Sequence, residues 1–208
     1  NGYWMDSTEV TNAMFVNFLN AIGNQMEGGT TWVNPRSPLV QIFEKDGTWQ
    51  IKPEVENYPI VGVSWYGAAA YCEWTGRRLP TEAEWEYVAR GDDGRRFPWG
   101  NEVDCKHARY SGCGKGTLAV DALPLGVSPF GIFNMAGNVA EWVNDRYAAD
   151  YYQESPMLNP TGPSNGYSRV VRGGYWGDTY LALRSTRREG VGADKHNNGV
   201  GFRCALTP

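Results

Sequence analysis

Tyr175, Gly177, Asp178 and Tyr180 open a stretch that continues through Leu181, Leu183, Thr186 and Asp194 and mixes aromatic, small, acidic and hydroxyl side chains. Rigid rings supply contact area at small entropic cost, and small polar groups adapt their hydrogen bonds, so this mixture suits binding. A second group is Asn134-Met135-Ala136-Gly137-Asn138-Val139-Ala140-Glu141. Asn134 and Glu141 offer side-chain oxygens, and a turn at Gly137-Asn138 can aim backbone carbonyls inward. Oxygen ligands from a short irregular segment are what Ca²⁺ accepts, although an Asn-capped turn leading into a half-buried strand would read the same way. A third group is Cys105, His107 and Cys113. It can close a local disulfide, remain as thiols, or hold zinc, and zinc is the weakest reading because no fourth ligand stands nearby.

The four cysteines, Cys72, Cys105, Cys113 and Cys204, contain no CxxC pair and are compatible with two disulfides. Two disulfides imply an oxidising, extracytoplasmic or surface-displayed setting. Three pairings are possible, and the spacing does not choose among them. The net charge of -4 gives no electrostatic reason to bind nucleic acid or to lie on an anionic membrane. No apolar run is long enough for direct membrane insertion. The chain starts at Asn1 without a signal peptide and reads as a mature or trimmed fragment.

Stepping along the 208 residues, abundant Gly, Trp and Tyr point to one loop-rich globular domain rather than a bundle. Thr11 is expected to cap a helix carrying Met14, Phe15, Phe18, Leu19 and Ile22 on one face and ending at Gly23. A hairpin is expected between Val40 and Ile51, turning at Asp46-Gly47. Ser64 should cap a helix over 65–74, and Thr81-Glu82-Ala83-Glu84 is a capping box for a helix over 82–90 with Gly91 as its stop. Residues 92–131 are nearly all turn chemistry. From Arg169 to Ala205 there is a β-like start but no sustained period, so 1–168 reads as scaffold and 169–205 as a ligand-binding segment. Trp176 and Arg184 within it read as core and buried-polar residues.

Four stretches fall in one order: Met5 to Asn12, Gly76 to Glu86, Asn134 to Trp142, and Arg172-Gly173-Gly174-Tyr175-Trp176 with Gly199 to Cys204. Together they resemble the formylglycine-generating enzyme (sulfatase-modifying factor) family over nearly the whole chain. The resemblance implies an α+β domain of variant C-type lectin-like fold with little regular secondary structure. It also implies a Cys72–Cys204 disulfide and a structural calcium held by Asn134, Gly137, Val139 and Glu141. Arg109 and Gly112 stand roughly where a second calcium site of the family has its ligands, so that site looks lost and a Cys105–Cys113 bridge would brace the loop instead.

Members of that family oxidise a substrate cysteine with copper held by two cysteines after the Gly-Gly pair. Cu(I) needs soft thiolates, and Tyr175 to Arg188 contains none, with Asp178 and Tyr180 near the expected positions, so no copper is expected. The expectation is a non-enzymatic, receptor-type domain that meets a protein or glycan ligand through residues 175–196. The alternative is a superfamily enzyme with altered chemistry on a peptide or small aromatic, using Asp178, Tyr180 or Arg187; a third reading is a structural module of a membrane-associated assembly. Variable proteins of diversity-generating retroelements also use this fold. Between Tyr175 and Asn198 only Trp176, Glu189 and Lys195 lie outside the residues that adenine mutagenesis of Asn codons can reach. Ser185, Gly190, Val191 and Ala193 join Tyr175, Gly177, Asp178, Tyr180, Leu181, Leu183 and Thr186 as candidate diversified positions.

Overall fold

Helices in this protein begin where a hydroxyl side chain accepts from an amide that the helix leaves unpaired. The computed structural model describes residues 2–207. β1 (Trp4–Met5) leads to α1 (Asn12–Ile22), where Thr11 accepts from the Met14 amide at 3.2 Å and Gly23, at φ +81°, ends the helix. Phe15, Val16, Phe18 and Leu19 face the core. Met14 and Ile22, expected on that face, flank it and are exposed. β2 (Met26–Glu27) pairs with β3 (Thr30–Thr31), and β4 (Ile42–Lys45) with β5 (Thr48–Ile51). The second hairpin turns at Asp46 and Gly47 with φ of 53° and 76°, the left-handed pair that a two-residue type I′ turn requires.

Ser64 caps α2 (Trp65–Trp74) by accepting from the Gly67 amide. At α3 (Glu82–Arg90) the capping box forms as expected: Thr81 accepts from Glu84 N at 3.2 Å and Glu84 accepts from Thr81 N at 2.8 Å. Residues 91–139 hold only short 3-10 turns. β6 (Ala140–Arg146), β7 (Ser168–Arg172), β8 (Arg188–Gly192) and β9 (Val200–Phe202) then form one sheet in the order β8-β7-β6-β9, with β6 and β9 parallel. β10 (Ala205–Leu206) returns to pair with β1. The C-terminal segment is therefore not a surface laid on a finished scaffold, because β7, β8 and β9 are three of the four main strands. Gly190, Gly192 and Gly201 removed the side chains that would have marked a period of two.

The sheet separates two apolar clusters by alternation along its strands. Trp142, Val171 and Phe202 point toward α1 and α2, whereas Val143 and Val170 meet Trp85, Val88 and Ala89 of α3. Glu141 and Arg203 are wholly buried between these layers. The guanidinium donates to both carboxylate oxygens at 2.8 and 2.7 Å, and Trp85 Nε1 donates to the same carboxylate at 2.8 Å. Arg203 also reaches the carbonyls of Phe133 and Asp6. Close by in sequence, Cys204 is bonded to Cys72 of α2 across 132 residues. In the chain-entropy model that link is worth about 5 kcal/mol, against roughly 2.6 kcal/mol for a loop as short as Cys105–Cys113.

Removing one partner of a buried ion pair strands the other. Arg203→Met should therefore lower unfolding free energy by roughly 3–5 kcal/mol in urea titration. A loss below about 1 kcal/mol would mean that Glu141 is not held by this guanidinium.

Candidate functional site

Two consecutive glycines at the end of β7 set the shape of the site. Gly173 and Gly174 have φ of +90° and +68°, a backbone that L side chains avoid, and a Cβ on Gly174 would lie 3.0 Å from the Ala182 carbonyl. The turn is tied to the 134–138 motif, since Gly137 N donates to Gly173 O and Trp176 N donates to Asn138 O, both at 3.0 Å. Asn134, Gly137 and Asn138 are themselves left-handed. Asp178 closes the next turn by accepting from Tyr175 N at 3.2 Å while its own amide donates to Tyr175 O. The Tyr175 ring lies against Gly177 and Gly199, where added Cβ atoms would come within 2.6 and 2.4 Å of it.

These turns border a cleft of about 230 Å³ over the sheet. Val171, Val191 and Val200 give its apolar lining, and Tyr175, Asp178, Arg187, Glu189 and Asn197 its polar one. Glu189 and Val191 line it together because a strand sends every second side chain to one face, and Arg187 joins them from the residue just before β8. Burial raises the Asp178 carboxyl above its ordinary range, and the Tyr175 amide and the Arg187 charge pull it back.

Of the residues expected to bind ligand, Tyr175 and Asp178 meet in the cleft, with Gly177 beneath the Tyr175 ring. Tyr180, Leu181 and Thr186 are exposed on the adjoining turn, and Asp194 sits apart, accepting from Tyr167 Oη at 2.5 Å and Lys195 Nζ at 3.0 Å. Leu183 is a correction. It is wholly buried against Phe97, Ala108 and Ala136, because the 3-10 turn Tyr180–Leu183 directs its last side chain inward. Ser185 and Ala193 are buried as well. Trp176 is only half-buried and Arg184 is exposed, opposite to the core roles read for them. Glu189 and Asn197 escaped notice as cleft residues, and Arg187 was considered only for catalysis. The Arg187-x-Glu189-x-Val191 alternation was the available signal, obscured by Arg188 and Gly190 between them.

The Asn134–Glu141 motif forms a buried polar knot. Asn134 and Asn138 each donate through Nδ2 to Glu9 at 2.9 Å, and Asn134 donates also to the Val120 carbonyl. Burial pushes the Glu9 carboxyl up to about 7; Arg203 counters the rise and Glu141 adds to it. Asn134 Oδ1 has no donor among the described residues, and Glu141 Oε1 accepts from Arg203 alone. Together with the carbonyls of Gly137 and Val139 these are oxygen donors, the type a hard cation such as Ca²⁺ accepts. The motif does not lead into a half-buried strand, because Ala140 to Val143 are buried on both faces of β6.

Cys105 and Cys113 are bonded to each other, which excludes the zinc and free-thiol readings, and no free cysteine remains among the described residues. His107 instead contacts Asp104 at 2.7 Å and stacks on Trp99. Within the loop, Arg109 donates to the carbonyls of Cys113, Lys115 and Gly116. A fixed guanidinium thus gathers the loop's oxygens. Ser111 N donates to Asp178 O at 2.9 Å, so this braced loop supports the cleft wall.

With this architecture, the domain is an α+β member of the formylglycine-generating-enzyme-like, C-type lectin-like fold group. The fold matches PvdO from Pseudomonas aeruginosa (TM-score 0.76, 26% identity, 99% of this chain and 80% of that one). It also matches Treponema denticola variable protein 1 (TM-score 0.72, 21% identity, 99% and 84%). The chain belongs to the sulfatase-modifying factor enzyme 1-like domain family, whose model covers residues 1–208. It is 38% identical over 208 residues to the serine/threonine-protein kinase Pkn1 of Chlamydia trachomatis serovar L2, covering 98% of this chain and 33% of that protein. The chain therefore spans about a third of the length of the curated relatives it first matches.

Cys105 is exposed, whereas Cys72 and Cys204 are buried. Mild reduction followed by alkylation should label Cys105 and Cys113 first, with amide exchange rising at Ser111 and at 175–178. Equal labelling of Cys72 and Cys204 would contradict that order.

Proposed function

We propose that this is a non-enzymatic, receptor-type binding domain that meets a protein or glycan through the cleft and the turns around it, residues 175–196. The observation that carries this reading is that Tyr175 and Asp178 border a cleft next to exposed Tyr180, Leu181 and Thr186, while all four cysteines are committed to disulfides. Rings held against glycine present area without further ordering cost. The fold shared with a protein described as a variable protein supports the reading by analogy only.

Retroelement diversification would draw on the accessible positions, Tyr175, Asp178, Tyr180, Leu181 and Thr186, with Gly177 kept as glycine beneath the Tyr175 ring. Leu183, Ser185 and Ala193 would have to remain as packing residues. The two disulfides fit an extracytoplasmic or surface-displayed setting. Among the described residues no helix is long and apolar enough to cross a membrane. A structural calcium at Asn134, Gly137, Val139 and Glu141 would reinforce the knot on which the Gly173–Gly174 turn rests.

Two measurements test these points. Tyr180→Ala and Thr186→Ala should change partner capture on protein and glycan arrays while shifting stability by no more than about 0.5 kcal/mol. A comparable loss of folding, or turnover of array substrates without stable capture, would favour the enzyme reading. Calcium added to chelator-treated protein should raise the unfolding temperature, and Asn134→Ala should remove most of the rise. An unfolding curve indifferent to calcium rejects the metal site.

A further inference from the structure

The cleft holds charges of both signs that leave one another open. Asp178 accepts only the Tyr175 amide, and Arg187 and Glu189 make no side-chain hydrogen bond or ion pair among the described residues. Neighbouring arginines on the same sheet differ sharply. Arg172 is bound to Glu86 and the Ser185 carbonyl, and Arg188 to both oxygens of Glu82. Such pairing satisfies a guanidinium without a ligand. Arg187, exposed and immediately before β8, has no such protein partner and leaves its donors open to solvent or to a ligand in the cleft.

Size narrows what that can be. A volume of about 230 Å³ lies below the ~300–1,000 Å³ of sites for drug-sized molecules and suits a small molecule. A small ligand bearing one anionic and one cationic group would meet the open guanidinium and the two open carboxylates at once. The Tyr175 ring and the valines offer apolar surface for the remainder.

We propose that the cleft binds a free α-amino acid, its carboxylate on Arg187, its ammonium between Asp178 and Glu189, and its side chain against Tyr175. A guanidinium matches a carboxylate with two parallel donors, and two carboxylates match an ammonium with several acceptors. The inference rests on the binding reading above and names the chemistry of its central pocket.

The test is an amide-resolved NMR titration of the whole domain with the common L-amino acids. The best binder is then repeated as its N-acetyl and its carboxamide derivative. At least one free amino acid should shift the amides of Tyr175, Asp178 and Glu189. Each derivative should bind about ten-fold more weakly, since each leaves one charge unpaired. Arg187→Gln should remove the preference for the free acid over the carboxamide, and Asp178→Asn the preference for the free amine over the acetylated form. Both variants must retain the wild-type spectrum outside the cleft; if Asp178→Asn disturbs the turn, Glu189→Gln takes its place. The inference is overturned if no amino acid moves cleft amides, or if binding survives both blocking groups. Should amino acids fail while an array partner still responds to Tyr180→Ala, the binding reading stands without this ligand. Loss of both responses removes the two together.

Discussion

The Glu141–Arg203 pair is the interaction on which the rest of this fold depends. Two charges taken out of water are tolerable only with extensive hydrogen bonding, and here the fork meets both carboxylate oxygens, Trp85 donates to one of them, and two main-chain carbonyls accept from the guanidinium. The demand for those partners locates five parts of the chain at once: α3 through Trp85, β6 through Glu141, the chain before Cys204, the turn at Phe133, and the segment just after β1 through Asp6. A hydrophobic pair of equal volume would pack there, but it would not distinguish one register of β6 and β9 from another. The adjoining Cys72–Cys204 bond then restricts the unfolded chain around that centre.

From this centre, order passes outward to the cleft by main-chain hydrogen bonds rather than by helices or long strands. The left-handed residues Gly137 and Asn138 turn their amides and carbonyls toward the Gly173–Trp176 stretch and the 105–116 loop. Glycines at Gly174, Gly177 and Gly199 allow backbone and ring to approach as no other residue would. The consequence is a surface whose exposed side chains carry little of the stability, since the buried members of the same segment, Leu183, Ser185 and Ala193, hold it in place. Such a division permits variation at Tyr180, Leu181 and Thr186 without loss of the fold.

Local chemistry made much of the scaffold legible. Thr11, Ser64 and the Thr81–Glu84 box mark helix starts because capping is decided within one turn of chain. Asp46-Gly47 marks its hairpin for the same reason, and the ordered set of motifs carried the fold class and the Cys72–Cys204 pairing. Tyr175 and Asp178 stood out because their types and their place after a Gly-Gly pair suit a rigid, polar turn, and both line the cleft.

What the sequence by itself determined are features that depend on neighbours a few residues away: caps, turns, the Gly-Gly corner and the family motifs. Tertiary structure alone decided which side chains of the last segment face inward and which charges share a space. β8 has no partner until β7 lies beside it, and its glycines leave no period to read, so Glu189 and Arg187 enter the cleft only once the sheet exists. Leu183 and Leu181 are the same residue type two positions apart, yet one fills a cavity between Phe97 and Ala136 and the other meets solvent. That difference belongs to packing between distant parts of the chain, which short-range pattern does not encode.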